Sequence, residues 1–221
     1  MPRIEGPLDG STFWNLLDAL LPVDGDALDL GTGTGRVALR VAPGVRRVVG
    51  IDVDASSLDA ARWDAQRRSV TNVEFVQADA ETADLLAFNG SRPYALITAR
   101  LFLSPAILGR VASLLAPGGH FVAEALEAEN WKEAGGSRYN LAAEDVVRSL
   151  RGHGLHVEEA RVEFERHRFA DPRGAEAHLK DRRLWTKWKA DGRWETLRAR
   201  VRKGGTLTDA RLVAWARRPS G

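Results

Sequence analysis

Residues 29–35, DLGTGTG, admit few folds. Glycine at every second position forces a sharp turn and lets the backbone approach a ligand with no Cβ in the way. ALDLG (27–31) before it is a short buried strand, and residues 36–41 after it continue as a helix until Pro43-Gly44. A glycine turn between strand and helix also presents the unpaired N–H groups of the helix start to whatever lies above it. By itself the turn is a weak signal, because a plain strand–helix connection can carry it too, so the residues around it decide what it is for.

The alternation of strand and helix continues along the chain. STFWNLLDALL (11–21) has helical spacing and stops at Pro22; RRVVGID (46–52), VEFVQAD (73–79), YALITA (94–99) and HFVAEAL (120–126) read as strands. Ser56-x-x-Asp59 resembles a capping box opening a helix with Leu58, Ala61 and Ala65, and Ser104-Pro105 starts another, ended by Pro117-Gly118-Gly119. Residues 141–151 predict a helix, 155–169 a long sixth strand, Asp171-Pro172 a capped helix and ARLVAWA (210–216) the last strand. Uninterrupted apolar strands alternating with helices predict an α/β fold with a parallel sheet covered on both faces. With no repeat and no low-complexity linker, residues 1–221 read as one domain.

Two nucleotide readings separate on spacing. The dinucleotide pattern G-x-G-x-x-G would put its third glycine at Arg36, whereas this chain has G-x-G-x-G from Gly31 to Gly35. Asp29 sits two residues before Gly31, unwelcome beside a pyrophosphate but suited to a phosphate-free ligand with a cationic amine and a sulfonium, which is S-adenosylmethionine. Asp52 ends the second strand, 21 residues beyond Gly31, where it can accept from ribose hydroxyls. Asp79 follows the third, where it can accept from an adenine amino group. Three acids at the carboxyl ends of successive strands converge on one crevice of an open sheet.

On these residues the chain resembles the class I S-adenosylmethionine-dependent methyltransferases. LDLGTGTGRVAL resembles the family's glycine motif, VVGIDVD its ribose motif, FVQADAE its adenine-side motif, LLAPGGHFV its turn before the fifth strand and LTDARLVAWARRP its terminal strand. The resemblance implies a Rossmann-like, seven-stranded, mostly parallel sheet with an antiparallel last strand paired to the sixth. It implies Gly31, Thr32 and Gly33 against the methionine moiety, Asp52 on the ribose, Val53 on adenine and Asp79-Ala80 at its amino edge. With Asp29, Gly35 and Thr98 these complete the expected cofactor-binding set, S-adenosylhomocysteine being the product. The family's usual acid at the start of the fourth strand is Ala95 here, which leaves open a cofactor-binding protein without catalysis. No Asn/Asp-Pro-Pro-aromatic motif follows, which counts against methylation of exocyclic base amines.

Composition narrows the chemistry. The chain has no cysteine, which excludes disulfides, thiolate zinc sites and the covalent cytosine-C5 route. No metal-ligand cluster is visible, so no metal is expected. Methyl transfer needs a base only if the acceptor carries a proton, and His167, Glu124 and Glu127 are candidates without a committed catalytic residue. Residues 161–221 hold 17 Lys+Arg against 8 Asp+Glu, net +9, while residues 1–160 carry net −7. In the basic block Trp185, Trp188 and Trp194 interleave with Arg182, Arg183, Lys187, Lys189 and Arg193. They could stack bases and neutralise phosphates of RNA. Their helical spacing favours a buried stripe instead, making 170–205 a helical basic insertion or lid between the last two strands. The stretch from Glu124 to Leu141 resembles tellurite-resistance-type and similar small-molecule methyltransferases. A small-molecule acceptor is therefore the first expectation and RNA the alternative. With no secretory leader and no apolar run of spanning length, the expected location is cytoplasmic, without a membrane partner. The sequence sets no oligomeric state.

Overall fold

The computed structural model describes residues 1–137 and 139–220. Its strands are β1 (Arg3–Glu5), β2 (Asp26–Leu30), β3 (Arg47–Asp52), β4 (Val73–Gln77), β5 (Tyr94–Arg100), β6 (Leu115–Leu126), β7 (His156–Arg168) and β8 (Thr206–Arg217). They form one sheet in the order β1-β7-β8-β6-β5-β2-β3-β4. β8 is antiparallel to both β6 and β7, and every other pairing is parallel. The mostly parallel sheet with an antiparallel last strand is as expected. The sheet has an eighth strand beyond the expected seven, β1, added in parallel to the outer edge of β7 with Arg3 opposite Val162. An open strand edge offers unpaired N–H and C=O groups to any nearby chain.

The helices are α1 (Ser11–Leu20), α2 (Arg36–Val41), α3 (Ala55–Arg67), α4 (Pro105–Leu114), α5 (Ala143–Gly152), α6 (Pro172–Asp181), α7 (Trp185–Ala190) and α8 (Arg193–Val201). Phe13 and Leu17 of α1, with α2 and α3, pack on Val48, Leu96, Val122 and Val213 of one face. Ile107 and Val111 of α4, with Val146 and Leu150 of α5, pack on Val49, Ile97 and Phe121 of the other. Neighbouring residues such as Val48 and Val49 thus enter opposite layers, because strand side chains alternate, which is why these strands read as unbroken apolar runs.

Ser104 and Asp171 cap α4 and α6 through bonds from Ile107 N–H and Gly174 N–H. α3 starts differently from the expectation. Its cap is Asp54, which accepts from the N–H of Ser56 at 3.1 Å and from the hydroxyls of Ser56 and Ser57. A carboxylate already in cap geometry displaces the weaker serine.

β6 ends at Leu126, opposite Arg211, but the β7–β8 ladder runs on to the pair Arg168–Thr206. This overhang of about five residues reaches roughly 17 Å past the end of β6 at the usual strand rise. α6, α7 and α8 lie between its two strands in sequence and close a third core of Ala175, Leu179, Trp188, Leu197 and Leu207. Trp188 is fully buried and Trp194 nearly so, leaving neither ring as a stacking platform.

Candidate functional site

The carboxyl ends of β2, β3 and β4 meet at a cavity of about 200 Å³ lined by Gly31, Asp52, Val53, Ala80, Phe102 and Tyr139 among others. Such a crevice, outside the strand ends of an open sheet, is where ligands of this architecture bind. Gly31, Gly33 and Gly35 all have positive φ, at 66°, 52° and 79°. At Gly31 a Cβ would fall 2.5 Å from Phe102, so the ring rests directly on bare backbone. A Cβ on Gly33 would meet nothing within 4 Å, so there only the backbone conformation requires glycine.

The expected acids take three different positions. Asp52 fastens the loop, its Oδ2 accepting from the N–H of Gly33 at 2.8 Å and its Oδ1 from the N–H of Asp54 at 3.0 Å. Asp29 lies beneath the loop, only 2% exposed, accepting from the hydroxyls of Thr32 at 2.6 Å and Thr98 at 2.7 Å. Burial pushes its pKa up to about 6, although both hydroxyls pull the other way. Asp79 is exposed, and one of its carboxylate oxygens accepts from the N–H of Glu81. Gly31, Asp52, Val53 and Ala80 therefore line the cavity itself, whereas Asp29, Thr32, Gly33, Gly35 and Thr98 form or brace the loop. Leu101, Phe102 and Tyr139 also line the cavity without having been expected, as do Ile51 and Ala78. The first two follow the end of β5, the strand next to β2, which is the signal that locates them.

Beyond this cavity the sheet edge is polar. Arg100 Nε lies 2.6 Å from Glu124 Oε2, and its guanidinium stacks over Trp14 at 5.1 Å and Phe13 at 5.8 Å. Glu124 is thus held in an ion pair beside the site. Glu127 is buried near Arg3 and accepts from the N–H of Glu129. His167 is farther away: three strands separate β7 from β2, about 19 Å at the usual spacing. It faces Asp209 instead, with Nε2 2.9 Å from Oδ2. His167, His178 and Asp209 come within 4.8 Å of one another, a set of possible ligands that the sequence keeps apart. Arg182 already occupies the shared Asp209 oxygen at 2.5 Å, placing a fixed positive charge where a metal ion would sit.

A methyltransferase-domain family model matches residues 23–169, well over half of the chain and all of the strands that meet at the cavity. The chain belongs to the class I S-adenosylmethionine-dependent methyltransferase family. Among curated relatives of this methyltransferase, the release factor glutamine methyltransferase of Vibrio cholerae is 43% identical over 63 residues, covering 28% of this chain and 22% of that protein. The ribosomal protein L11 methyltransferase of Symbiobacterium thermophilum is 37% identical over 123 residues, covering 53% and 37%. The chain thus spans well under half the length of these relatives. The solved structure of the YcgJ protein from Bacillus subtilis superposes with a TM-score of 0.72 at 16% identity, covering 96% of this chain and 99% of that one, and so shares its fold. Among the described residues no helix is long and apolar enough to cross a membrane.

Proposed function

We propose that this methyltransferase moves a methyl group from S-adenosylmethionine to a small-molecule acceptor. The observation that carries the reading is the 200 Å³ crevice, where the Asp52 carboxylate, the bare Gly31–Gly33 backbone and the apolar Val53–Ala80 wall meet. These residues fit the methyl donor. Asp52 has lone pairs for ribose hydroxyls, Val53 and Ala80 give an adenine ring apolar faces, and the ionised Asp29 beneath the loop favours a cation above it. When bound there, S-adenosylmethionine would supply an already activated methyl on its sulfonium, with a thioether as the leaving group. The protein's own task is alignment and exclusion of water, worth several kcal/mol when reacting atoms are held at contact distance. Glu124, two strands from Asp29, is better placed than His167 to take a proton, once Arg100 gives it up.

The lobe of α6–α8 is read as a lid within a single domain. Its tryptophans form its core, and its cations Arg183, Lys187, Lys189, Arg202 and Lys203 point to solvent. That exposed charge supports the second reading, an RNA acceptor; curated relatives include proteins named for rRNA and protein methylation. Radiolabelled methyl transfer into a lysate of the source organism, followed by ultrafiltration with and without ribonuclease, separates them. Label in the untreated filtrate is the expected result. Retained label released by ribonuclease overturns it, and no label despite S-adenosylhomocysteine binding means a silent binder.

Asp52→Ala is expected to weaken methyl-donor binding by about 1–3 kcal/mol, because it removes both the ribose partner and the clamp on Gly33 N–H. Calorimetric titration with S-adenosylhomocysteine checks this, and unchanged affinity would sink the assignment.

A further inference from the structure

The crevice is open over only part of the length that a methyl donor needs. Ile51, Asp52 and Val53 at the end of β3, and Ala78 and Ala80 past β4, line it, and on the β2 side it reaches Gly31. Its volume of about 200 Å³ falls short of the roughly 300–1,000 Å³ typical of sites for drug-sized ligands. With adenine on Val53 and Ala80 and ribose on Asp52, the sulfonium and its amino-acid arm run on from β3 to β2, over Gly31 and above the buried Asp29. The side chain of Phe102 stands there. A Cβ on Gly31 would fall 2.5 Å from Cβ and Cγ of Phe102 and 2.7 Å from its Cδ1. Carbon atoms need about 3.5–4.0 Å between them, so no ligand group fits between this ring and the loop.

A short, strained turn holds the ring in place. β5 ends at Arg100, which is paired with Glu124, and Leu103 is already buried again ahead of α4. Between these fixed points Leu101 has φ 58°, a left-handed conformation that an L side chain enters at a cost. Its side chain is 42% exposed, so burial does little to offset that cost. The backbone tether at this residue is its N–H, which donates to the carbonyl of Glu124 at 2.6 Å. Phe102 itself is only half-buried. Return of Leu101 to an ordinary φ would relieve the strain and turn Phe102 off Gly31.

We propose that Phe102 decides which adenine compounds the crevice accepts. With the ring on Gly31 the site takes an adenine nucleoside that carries no amino-acid arm. S-adenosylmethionine and S-adenosylhomocysteine bind the form in which the Leu101–Phe102 turn has swung the ring aside. Their apparent affinity is then the intrinsic affinity scaled down by the fraction of molecules in that form. The inference rests on the methyl-transfer reading and adds a specificity residue to its donor site.

Calorimetric titration of the full chain with adenosine and with S-adenosylhomocysteine tests it, because the two share base and ribose and differ in the arm. Phe102→Ala is expected to raise the affinity for S-adenosylhomocysteine at least tenfold relative to that for adenosine, since only the ligand with the arm gains the vacated seat. Taking the ratio cancels any loss of packing that both ligands feel. Phe102→Leu keeps an apolar chain without the ring; it should move the ratio the same way and serves where alanine disturbs folding. Binding of S-adenosylhomocysteine by the variants but not by wild type would be the same effect at its limit. A ratio unchanged or lowered in the folded variants overturns the inference and makes Phe102 a wall of the donor site. Wild type that binds S-adenosylhomocysteine but not adenosine overturns it too. If neither wild type nor variants bind S-adenosylhomocysteine, the methyl-transfer reading itself fails and takes this inference with it.

Discussion

Asp209→Ala is expected to lower stability at pH 7 by about 3–5 kcal/mol, the range for removing one partner of a buried ion pair. Asp209 is fully buried, yet it serves three groups at once. Oδ1 accepts from the indole N–H of Trp131 at 2.5 Å, while Oδ2 lies 2.9 Å from His167 and 2.5 Å from Arg182. Burial alone would raise its pKa, but the His167 bond, the Arg182 and Arg211 charges and the Trp131 N–H hold it below the ordinary carboxylate value. Alanine would strand Arg182 without its counter-charge and release Trp131, which packs edge-on against Trp188 at 5.2 Å. Asp209→Asn, keeping one acceptor oxygen, should cost less. Because the folded pKa is depressed, the ionic contribution is complete above the unfolded value near 3.8 and fades as pH falls through the folded value. Urea unfolding at pH 7 and near pH 3, followed by near-ultraviolet circular dichroism, checks both magnitude and direction. Equal stability of Asp209→Ala and wild type at pH 7 would contradict the assignment.

Asp29→Asn is expected to act in the opposite direction on stability while damaging binding. With the folded pKa raised to about 6, the native state holds this proton more tightly than the unfolded state does. Stability therefore falls as pH rises between about 4 and 6, by at most roughly 3 kcal/mol at 1.4 kcal/mol per pH unit. Asparagine removes that penalty. The variant should be more stable than wild type by about 1–3 kcal/mol at pH 8, with the gain gone at pH 4. For wild type, affinity for a cationic methyl donor should climb as pH passes through 6 and then level off. In Asp29→Asn it should be weaker and flat with pH. Unfolding at pH 4, 6 and 8, and calorimetry with S-adenosylmethionine, read the two effects separately. A variant less stable than wild type at pH 8 would mean that the Thr32 and Thr98 hydroxyl bonds outweigh the desolvation of the charge.

The donor half of the fold was legible because its information is local. The fully buried β2, the glycine turn and the Ser104-Pro105 start each lie within a few residues, and each of the three acids sits at or just past the end of a strand. What escaped depends on long-range partners. β1 is three exposed residues with no periodicity, defined only by the edge of β7 some 160 positions later. The Asp209 group joins residues from β7, α6, β8 and the stretch after β6, and no spacing predicts that meeting. Phe102 was missed because a ring following a strand reads as core until the bare Gly31 beneath it is seen. Asp54 and Ser56 both match a cap in sequence, and only geometry shows which side chain meets the free N–H groups of the helix start.

The position of β8 sets the order in which this molecule can assemble. It follows β7 in the chain, yet it lies between β6 and β7 and hydrogen-bonds both. β2 to β6 can pair as they leave the ribosome, but β7 has no sheet neighbour on its inner side until β8 arrives, and β1 has none until β7 is in place. Closing pairs so distant in sequence is slow and leaves strand edges bare meanwhile. The crevice at Gly31 and Asp52 can therefore exist in a nascent chain well before the β7–β8 side of the sheet does, and that side waits on the dozen residues of β8.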